Sequence, residues 1–177
     1  MSDPFESHAN LAEIDRLIER FGDRTAAARE EARASVVALG GPAVGPLTKA
    51  LDDRREQVRW EAAKALSKIG GPAAARGLVK ALEDRSPGVR WVAAHGLTAM
   101  RREGLIALLQ ALMDWSGSDW LREGAHHVLS GMAKGRFLDP RAEPVLKALD
   151  DAQPELTTPR AARDALKALE QATSTGT

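Results

Sequence analysis

An internal repeat with a period of 31 residues is the feature that most constrains how this sequence can fold. Residues 53–66 recur in residues 84–97; the repeated positions include Val58, Arg59, Trp60, Ala63 and Leu66, which return as Val89, Arg90, Trp91, Ala94 and Leu97. A repeat of this length corresponds to one supersecondary unit, which cannot bury its apolar face alone. Neighbouring copies have to stack, so the sequence predicts an elongated array with a continuous core.

The same repeat pattern extends over most of the chain. Residues that occupy equivalent places in different units are said to share a frame position. Upstream, the Gly-Gly-Pro of residues 40–42 matches residues 70–72, and Arg29 matches Arg59. Downstream, Arg122, Ala125, Leu129 and Met132 match positions in the unit before them. A second pattern, close to Leu-x-Lys-Ala-Leu, occupies residues 47–51, 78–82, 108–112 and 145–149. Each unit therefore has a first and a second half.

Each half is predicted to be a helix, because apolar segments alternate with helix stop and start signals. In residues 57–69 the apolar side chains recur at the 3.6-residue spacing of one helix face. Gly70 and Gly71 suit the end of that helix, and Pro72 suits the first turn of the next. Further starts are Ser86-Pro87, Asp139-Pro140 and Thr158-Pro159. Ala and Leu are abundant whereas aromatic residues make up only 4%, which favours an all-α fold.

The predicted architecture is an α-solenoid of about five stacked antiparallel helix pairs with short end segments. Residues 1–24 are expected to form a tail and a capping helix. The array is expected over residues 25–172, in units at about 25–52, 53–83, 84–114, 115–151 and 152–172. The last first helix is expected at about residues 159–172. Residues 173–177 are expected to be a disordered tail.

The repeated motifs resemble HEAT repeats, and most of all the short bacterial kind called PBS-lyase HEAT-like repeats. The resemblance rests on an Asp-x4-Val-Arg start, an Ala-Ala-x-Ala-Leu helix and a Gly-Gly-Pro turn, over roughly residues 24–171. It implies a right-handed, armadillo-like superhelix whose second helices line the concave side. It also implies a ladder of contacts between repeats, at Asp23–Arg29, Asp53–Arg59 and Asp84–Arg90. Ser116, Gln153 and Pro159 interrupt the ladder positions, so the ladder is expected to weaken toward the C-terminus.

Composition narrows the possible functions. The chain has 25 basic and 25 acidic residues, whereas affinity for nucleic acid rests largely on neutralising phosphates. It contains no Cys, which excludes disulfides, thiolate metal sites and thiol catalysis. No stretch approaches the ~20 apolar residues of a membrane span and no signal peptide is recognisable, so we expect a cytoplasmic protein without membrane contact. No motif for an enzyme is present, and we expect no cofactor, metal ion or small-molecule substrate.

Six residues are predicted to line up on the outer, convex side of the first helices, and we call them the outer strip. On a helical wheel Trp60 and Lys64 lie opposite the core face, and the equivalent positions of the next units complete the set with Trp91, His95, Glu123 and His127. Trp is a frequent anchor at protein interfaces, so the strip is a candidate partner-binding site. The favoured alternative is that each Trp packs over the neighbouring repeat. Metal binding by His95, Glu123 and His127 is a weaker alternative, because no tight paired-histidine motif is present.

A column of lysines on the second helices is the second candidate surface. Lys49, Lys80 and Lys147 share one frame position, with Gln110 between them. On the concave side this lysine column would suit an acidic partner. The favoured alternative is that each Lys pairs with an acidic residue three or four positions later in the chain.

The fourth unit is irregular. From Leu112 to Leu149 there are 37 residues, against 31 and 30 for the two preceding intervals. The added segments carry Trp115, Trp120, Arg136 and Phe137. Irregular segments of a regular array often carry function, although simple drift in length is the commoner cause. His126, at the position of Ala63 and Ala94, is expected to be a hydrogen-bonded interior residue.

The sequence thus favours a non-enzymatic scaffold that binds another protein through an extended surface. The family resemblance implies an alternative, an accessory subunit of a phycobilisome-type bilin lyase that handles the chromophore. A lesser alternative is a HEAT-like DNA glycosylase or nucleic-acid binder, which the zero net charge disfavours.

Overall fold

The computed structural model describes residues 4–114 and 117–174, and the side chains of residues 11–114 and 117–172. Trp115 and the end of the expected C-terminal tail lie outside these limits. The described residues form ten α-helices and no β-strand; the helices are α1 (Pro4–Glu19), α2 (Ala26–Leu39), α3 (Val44–Ala50), α4 (Glu56–Ile69), α5 (Gly71–Ala81), α6 (Pro87–Ala99), α7 (Arg102–Met113), α8 (Asp119–Lys134), α9 (Glu143–Leu149) and α10 (Pro154–Ser174). None of these helices combines the length and the hydropathy of a membrane-spanning segment.

The helices stack in two layers. The first helices of successive units pack side by side, α2 on α4, α4 on α6 and α6 on α8. The second helices α3, α5 and α7 form the other layer in the same order. One continuous core lies between the layers, and it includes residues of every unit, such as Val58, Leu66 and Leu97. The predicted all-α solenoid of stacked helix pairs is confirmed.

Local sequence explains where the regular helices end. Gly40 and Gly70 follow α2 and α4 with φ angles of 64° and 73°, a region that glycine adopts without a steric penalty. Arg101 occupies the same frame position before α7 and adopts a φ of 51°. The start of α2 is capped by Thr25, whose hydroxyl accepts a hydrogen bond from the Ala28 N–H at 3.3 Å.

Helix α1 covers the N-terminal end of the array. It packs against α2 and α3, with Ile14 and Ile18 buried beneath it and Phe21 buried in the turn that follows. These apolar side chains recur on one face because they lie three or four residues apart. The first repeat is therefore shielded from solvent on its outer side.

Helix α10 does not continue the layer of first helices. It begins at Pro154 rather than Pro159, which lies inside the helix. It packs mainly against α7 and α9 and lies between them. Its buried face is a narrow stripe of Thr158, Ala162, Ala165 and Leu169. Helices α7 and α9, which would be neighbours in a regular array, both pack on α10.

The outer face of α8 is consequently left open. Ala63 and Ala94 are buried on the faces of α4 and α6 that meet the next first helix. His126 has the same position on α8, but α10 makes no extensive contact there. His126 is therefore half-buried rather than interior, so the expected burial is wrong. The expected hydrogen bonding is present, because Nδ1 lies 3.5 Å from the Ser130 hydroxyl and Nε2 lies 3.4 Å from the Asp150 carboxylate. A polar face at the last unit keeps a repeat array soluble.

Candidate interaction surface

The outer strip contains one open aromatic side chain, Trp91. Its side chain is 58% exposed. Its ring stacks on His95, with 5.0 Å between ring centroids and 17° between ring planes. The four-residue spacing on α6 brings these two rings together. Most of the indole is thus accessible to a partner rather than covered by the neighbouring repeat.

Trp60, one repeat earlier, is more enclosed. It is half-buried and packs against the core. The Lys64 ammonium lies 4.2 Å from its ring centroid, an arrangement that contributes about 0.5–1 kcal/mol at an exposed site. Packing accounts for Trp60 better than for Trp91.

The third pair of the outer strip lies on α8. Glu123 and His127 are both exposed there, one helical turn apart. Within the described chain, no group of three or more His, Asp or Glu side chains is placed to hold a metal ion. The pair therefore offers a partner separate polar groups, a carboxylate and an imidazole.

The lysine column is exposed but partly paired. Lys49, Lys80 and Lys147 all face solvent. The Lys80 ammonium lies 2.6 Å from the carboxylate of Asp52, which belongs to the preceding unit rather than to the turn after α5. Because both side chains are exposed, such a pair contributes about 0–1 kcal/mol. Its main effect is to reduce the positive charge of the column.

Within each repeat, the predicted ladder residues meet through the backbone. The arginine donates a hydrogen bond to the main-chain carbonyl of the aspartate six residues earlier rather than to its carboxylate. The three bonds are Arg29 to Asp23 at 2.8 Å, Arg59 to Asp53 at 3.0 Å and Arg90 to Asp84 at 2.9 Å. They fix the turn before each first helix.

A buried ion pair also joins two repeats. The guanidinium of Arg59 donates two hydrogen bonds to the Asp84 carboxylate, at 2.7 and 3.0 Å. The side chains are only 4% and 6% exposed. These hydrogen bonds raise the pKa of Arg59 above its usual value. Asp53, the equivalent carboxylate one repeat earlier, instead accepts hydrogen bonds from Arg55, which lower the pKa of Asp53.

Glu61 is a charged residue that the sequence pattern did not single out. It is buried on α4, accepts a hydrogen bond from Arg33, and lies 3.5 Å from Nε of Arg29. These two arginines on α2 provide the charge that a buried carboxylate requires. The sequence did contain one indication of this buried charge: Glu61 occupies a frame position at which the next repeat has the apolar residue Val92.

The structure does not gather the described residues of the irregular unit into one site. Trp120 is 44% exposed and lies against α6, with the Arg90 guanidinium 5.0 Å from its ring centroid. Phe137 is half-buried, and the Arg101 guanidinium lies 4.8 Å from its ring centroid. Arg136 is exposed and has a φ of 59°. Each aromatic ring therefore has its own arginine contact.

Comparisons with known proteins agree with the repeat fold. Residues 14–87 match a family model described as HEAT repeats. The chain is similar to a chain in the structure of the complex of CpcE and CpcF of phycocyanin lyase from Nostoc sp. PCC7120, with 26% identity, a TM-score of 0.53, and coverage of 88% of this chain and 98% of that one. It is also similar to a designed armadillo repeat protein in complex with the peptide (KR)4, with 20% identity, a TM-score of 0.36 and 93% coverage of each chain. No curated protein matches the sequence.

Proposed function

Because residues 14–87 match the HEAT-repeat family model, and the helix pairs continue through α9, we propose that this protein is a non-enzymatic scaffold for another protein. The partner binds along the outer strip, with Trp91 as the central contact. The observation that carries this proposal is the exposure of that indole on a regular helix of the array. Trp is enriched among the residues that dominate binding free energies.

The N-terminal end of the array and helix α7 are covered. Helix α1 covers α2 and α3, and α10 covers α7, whereas the outer face of α8 is open and carries half-buried His126. Two lateral surfaces are the candidates for binding a protein partner, the outer strip and the lysine column. The strip carries the open indole, whereas Lys80 in the column already pairs with Asp52. The outer strip is therefore the better supported surface.

The expected contribution of Trp91 follows from its size. An indole buries on the order of 200 Å² in an interface. Covering the exposed part of Trp91 at about 25 cal/mol per Å² contributes roughly 2–3 kcal/mol. Since about 1.4 kcal/mol corresponds to a factor of ten in affinity, replacing Trp91 by Ala is expected to weaken partner binding at least tenfold.

A recovery experiment with matched tryptophan variants tests this proposal. Wild-type chain, Trp91→Ala and Trp120→Ala are immobilised, and proteins recovered from a lysate of the native host are quantified. Trp120 is the control because it is also an exposed indole but lies outside the strip, against Arg90. We expect a specific partner to be lost with Trp91→Ala and retained with Trp120→Ala. Equal recovery of every protein by wild type and Trp91→Ala rejects the outer strip.

The likeness to a chain of the phycocyanin lyase complex supports a second candidate function, an accessory subunit that handles a bilin. Mixing the protein with a free bilin and recording the visible spectrum tests it. A saturable change of the absorption band supports the candidate, and an unchanged spectrum rejects it. In either case we place the protein in the cytoplasm of a bacterium, on the basis of the resemblance to short bacterial repeats.

A further inference from the structure

One frame position on the first helices carries acidic and aromatic residues in a symmetric order. It is the position directly after the repeated arginine, and its occupants in α2, α4, α6 and α8 are Glu30, Trp60, Trp91 and Glu123. We call this set the acid–Trp row. Glu30 joins it because Arg29 matches Arg59 in the frame. Two neighbouring indoles are thus flanked by a carboxylate on each side.

Both carboxylates are available to a cation. The Glu30 side chain is 76% exposed and forms a long ion pair with the guanidinium of Arg33, at 3.9 Å. That guanidinium is already hydrogen-bonded to buried Glu61. Glu123 is exposed and has no ion pair or hydrogen bond through its side chain within the described residues.

A second side chain lies against each indole ring. The Lys64 ammonium lies over the Trp60 ring, and the His95 imidazole is stacked on Trp91. The row therefore presents an aromatic centre with negative charge at both ends. Complementary charge on a partner gives specificity and faster association.

The spacing along the row fits a helix better than an extended strand. Packed helices lie about 8–10 Å apart, and seven residues of an α-helix span about 10.5 Å at about 1.5 Å per residue, close to the upper end of that range. Contacts at every seventh residue fall on one face of a helix, since seven residues make about two turns. In a strand about three residues span the same distance, and every third side chain alternates between the two faces.

We propose that the acid–Trp row binds a basic amphipathic helix of the partner protein. Two apolar residues of this helix contact Trp60 and Trp91, and a Lys or Arg at each end contacts Glu30 and Glu123. The partner helix crosses the first helices of the array, and its contacts recur every seven residues. This inference rests on the proposed scaffold function and adds the chemical class of the partner segment.

Two synthetic peptides test the inference. Both are helix-forming and about 25 residues long, which spans the row at about 1.5 Å per residue, with two Leu residues seven positions apart. One peptide has Lys seven positions before and after the Leu pair, and the other has Glu there. We expect wild type to bind the Lys peptide about fivefold more tightly at low salt, measured by fluorescence anisotropy. High salt should shrink the difference, because these charges are exposed.

Charge and tryptophan variants separate the possible outcomes. Glu30→Lys with Glu123→Lys should reverse the peptide preference, and circular dichroism verifies the fold of this surface variant. Trp91→Ala should weaken the Lys peptide about tenfold, as for loss of roughly 1.4 kcal/mol, whereas Trp120→Ala should not. Equal affinity of wild type for both peptides overturns the charge inference, even if Trp91→Ala still weakens binding and supports the scaffold. No effect of Trp91→Ala on the affinity for the Lys peptide overturns this inference, whereas the scaffold function is decided by the partner recovered in the lysate experiment.

Two further results would also overturn the inference. One is the absence of measurable binding of the Lys peptide to wild type. The other is self-association of the free chain in sedimentation that Trp91→Ala abolishes, because a second copy would then occupy the row.

Discussion

Replacing Asp84 by Asn removes one charge from the buried ion pair while it keeps the shape of the turn. In wild type one Asp84 oxygen accepts the Ser86 N–H at 2.7 Å, and the Asn side-chain oxygen can accept the same bond. The Arg59 guanidinium keeps its hydrogen bonds to the carbonyls of Asp53 and Arg54, at 3.0 and 3.2 Å. It loses its counterion in a position where it is 4% exposed. The variant therefore tests the value of the charge pair itself.

The expected loss of stability is about 3 kcal/mol. A guanidinium does not deprotonate in a protein, and removing one partner of a buried ion pair costs about 3–5 kcal/mol. Because Arg59 keeps its two hydrogen bonds to main-chain carbonyls, we expect the loss for Asp84→Asn to lie at the lower end of this range. Asp53→Asn at the same frame position is the matched control. Its partner Arg55, at 2.8 Å, is more exposed, so about 1 kcal/mol or less is expected.

Urea unfolding at pH 7, followed by circular dichroism, measures both variants. The slopes must agree with that of wild type, because repeat arrays can unfold in parts. In the double variant Arg59→Met/Asp84→Asn the uncompensated charge is gone, so part of the lost stability should return. A loss for Asp84→Asn below about 1 kcal/mol, or equal to that of Asp53→Asn, would refute the reasoning.

Two further predictions concern packing and pH. Gly104→Ala is expected to cost about 2 kcal/mol, because its Cβ would lie 2.1 Å from the Leu97 carbonyl oxygen and would force α6 and α7 apart. Gly88→Ala, whose Cβ would lie at an ordinary contact distance of 3.5 Å from the Ser86 hydroxyl, should leave the thermal midpoint unchanged or raise it. The hydrogen bond from Arg55 lowers the folded pKa of Asp53 below its ordinary value of 3.8, so its stabilisation is present above that pH and is lost as the pH falls through the folded pKa. The stability difference between wild type and Asp53→Asn should shrink in acid; a constant difference contradicts this assignment.

Helix positions were predictable where local signals and the repeat frame agree. Pro87 begins α6 as expected, because both the frame and the start signal point there. Thr158-Pro159 is an equally good start signal, yet the helix begins at Pro154. The Thr158 hydroxyl is buried and has no hydrogen-bond partner among the described residues. Packing of α10 between α7 and α9 overrides the capping preference, and that packing depends on residues far away in the sequence.

The candidate site was predictable as a set of positions but not as a set of side-chain states. Trp60 and Trp91 are equivalent in the sequence, yet one is half-buried under Lys64 and the other is open beside His95. Burial of each indole depends on what neighbouring helices place around it. A comparison of one repeat with the next contains no information on these contacts.

Buried Glu61 links the core to the proposed binding surface. By accepting a hydrogen bond from Arg33, it shares that guanidinium with Glu30, which lies three residues earlier on α2 and forms a longer ion pair with Arg33 at 3.9 Å. Glu61→Gln is expected to release Arg33 toward Glu30, because i,i+3 pairs of opposite charge attract on a helix. One end of the acid–Trp row would then lose its charge.

A double-mutant cycle on the Lys peptide tests this link. In the wild-type background, Glu30→Gln should weaken binding of the Lys peptide about threefold, as expected for loss of an exposed ion pair. In the Glu61→Gln background, which should weaken the peptide by a similar factor, Glu30→Gln should have no further effect, because the carboxylate is already neutralised. Circular dichroism must show that both Glu61 variants remain helical. If the two effects simply add, Glu61 acts on stability alone and Arg33 does not control the charge of the row.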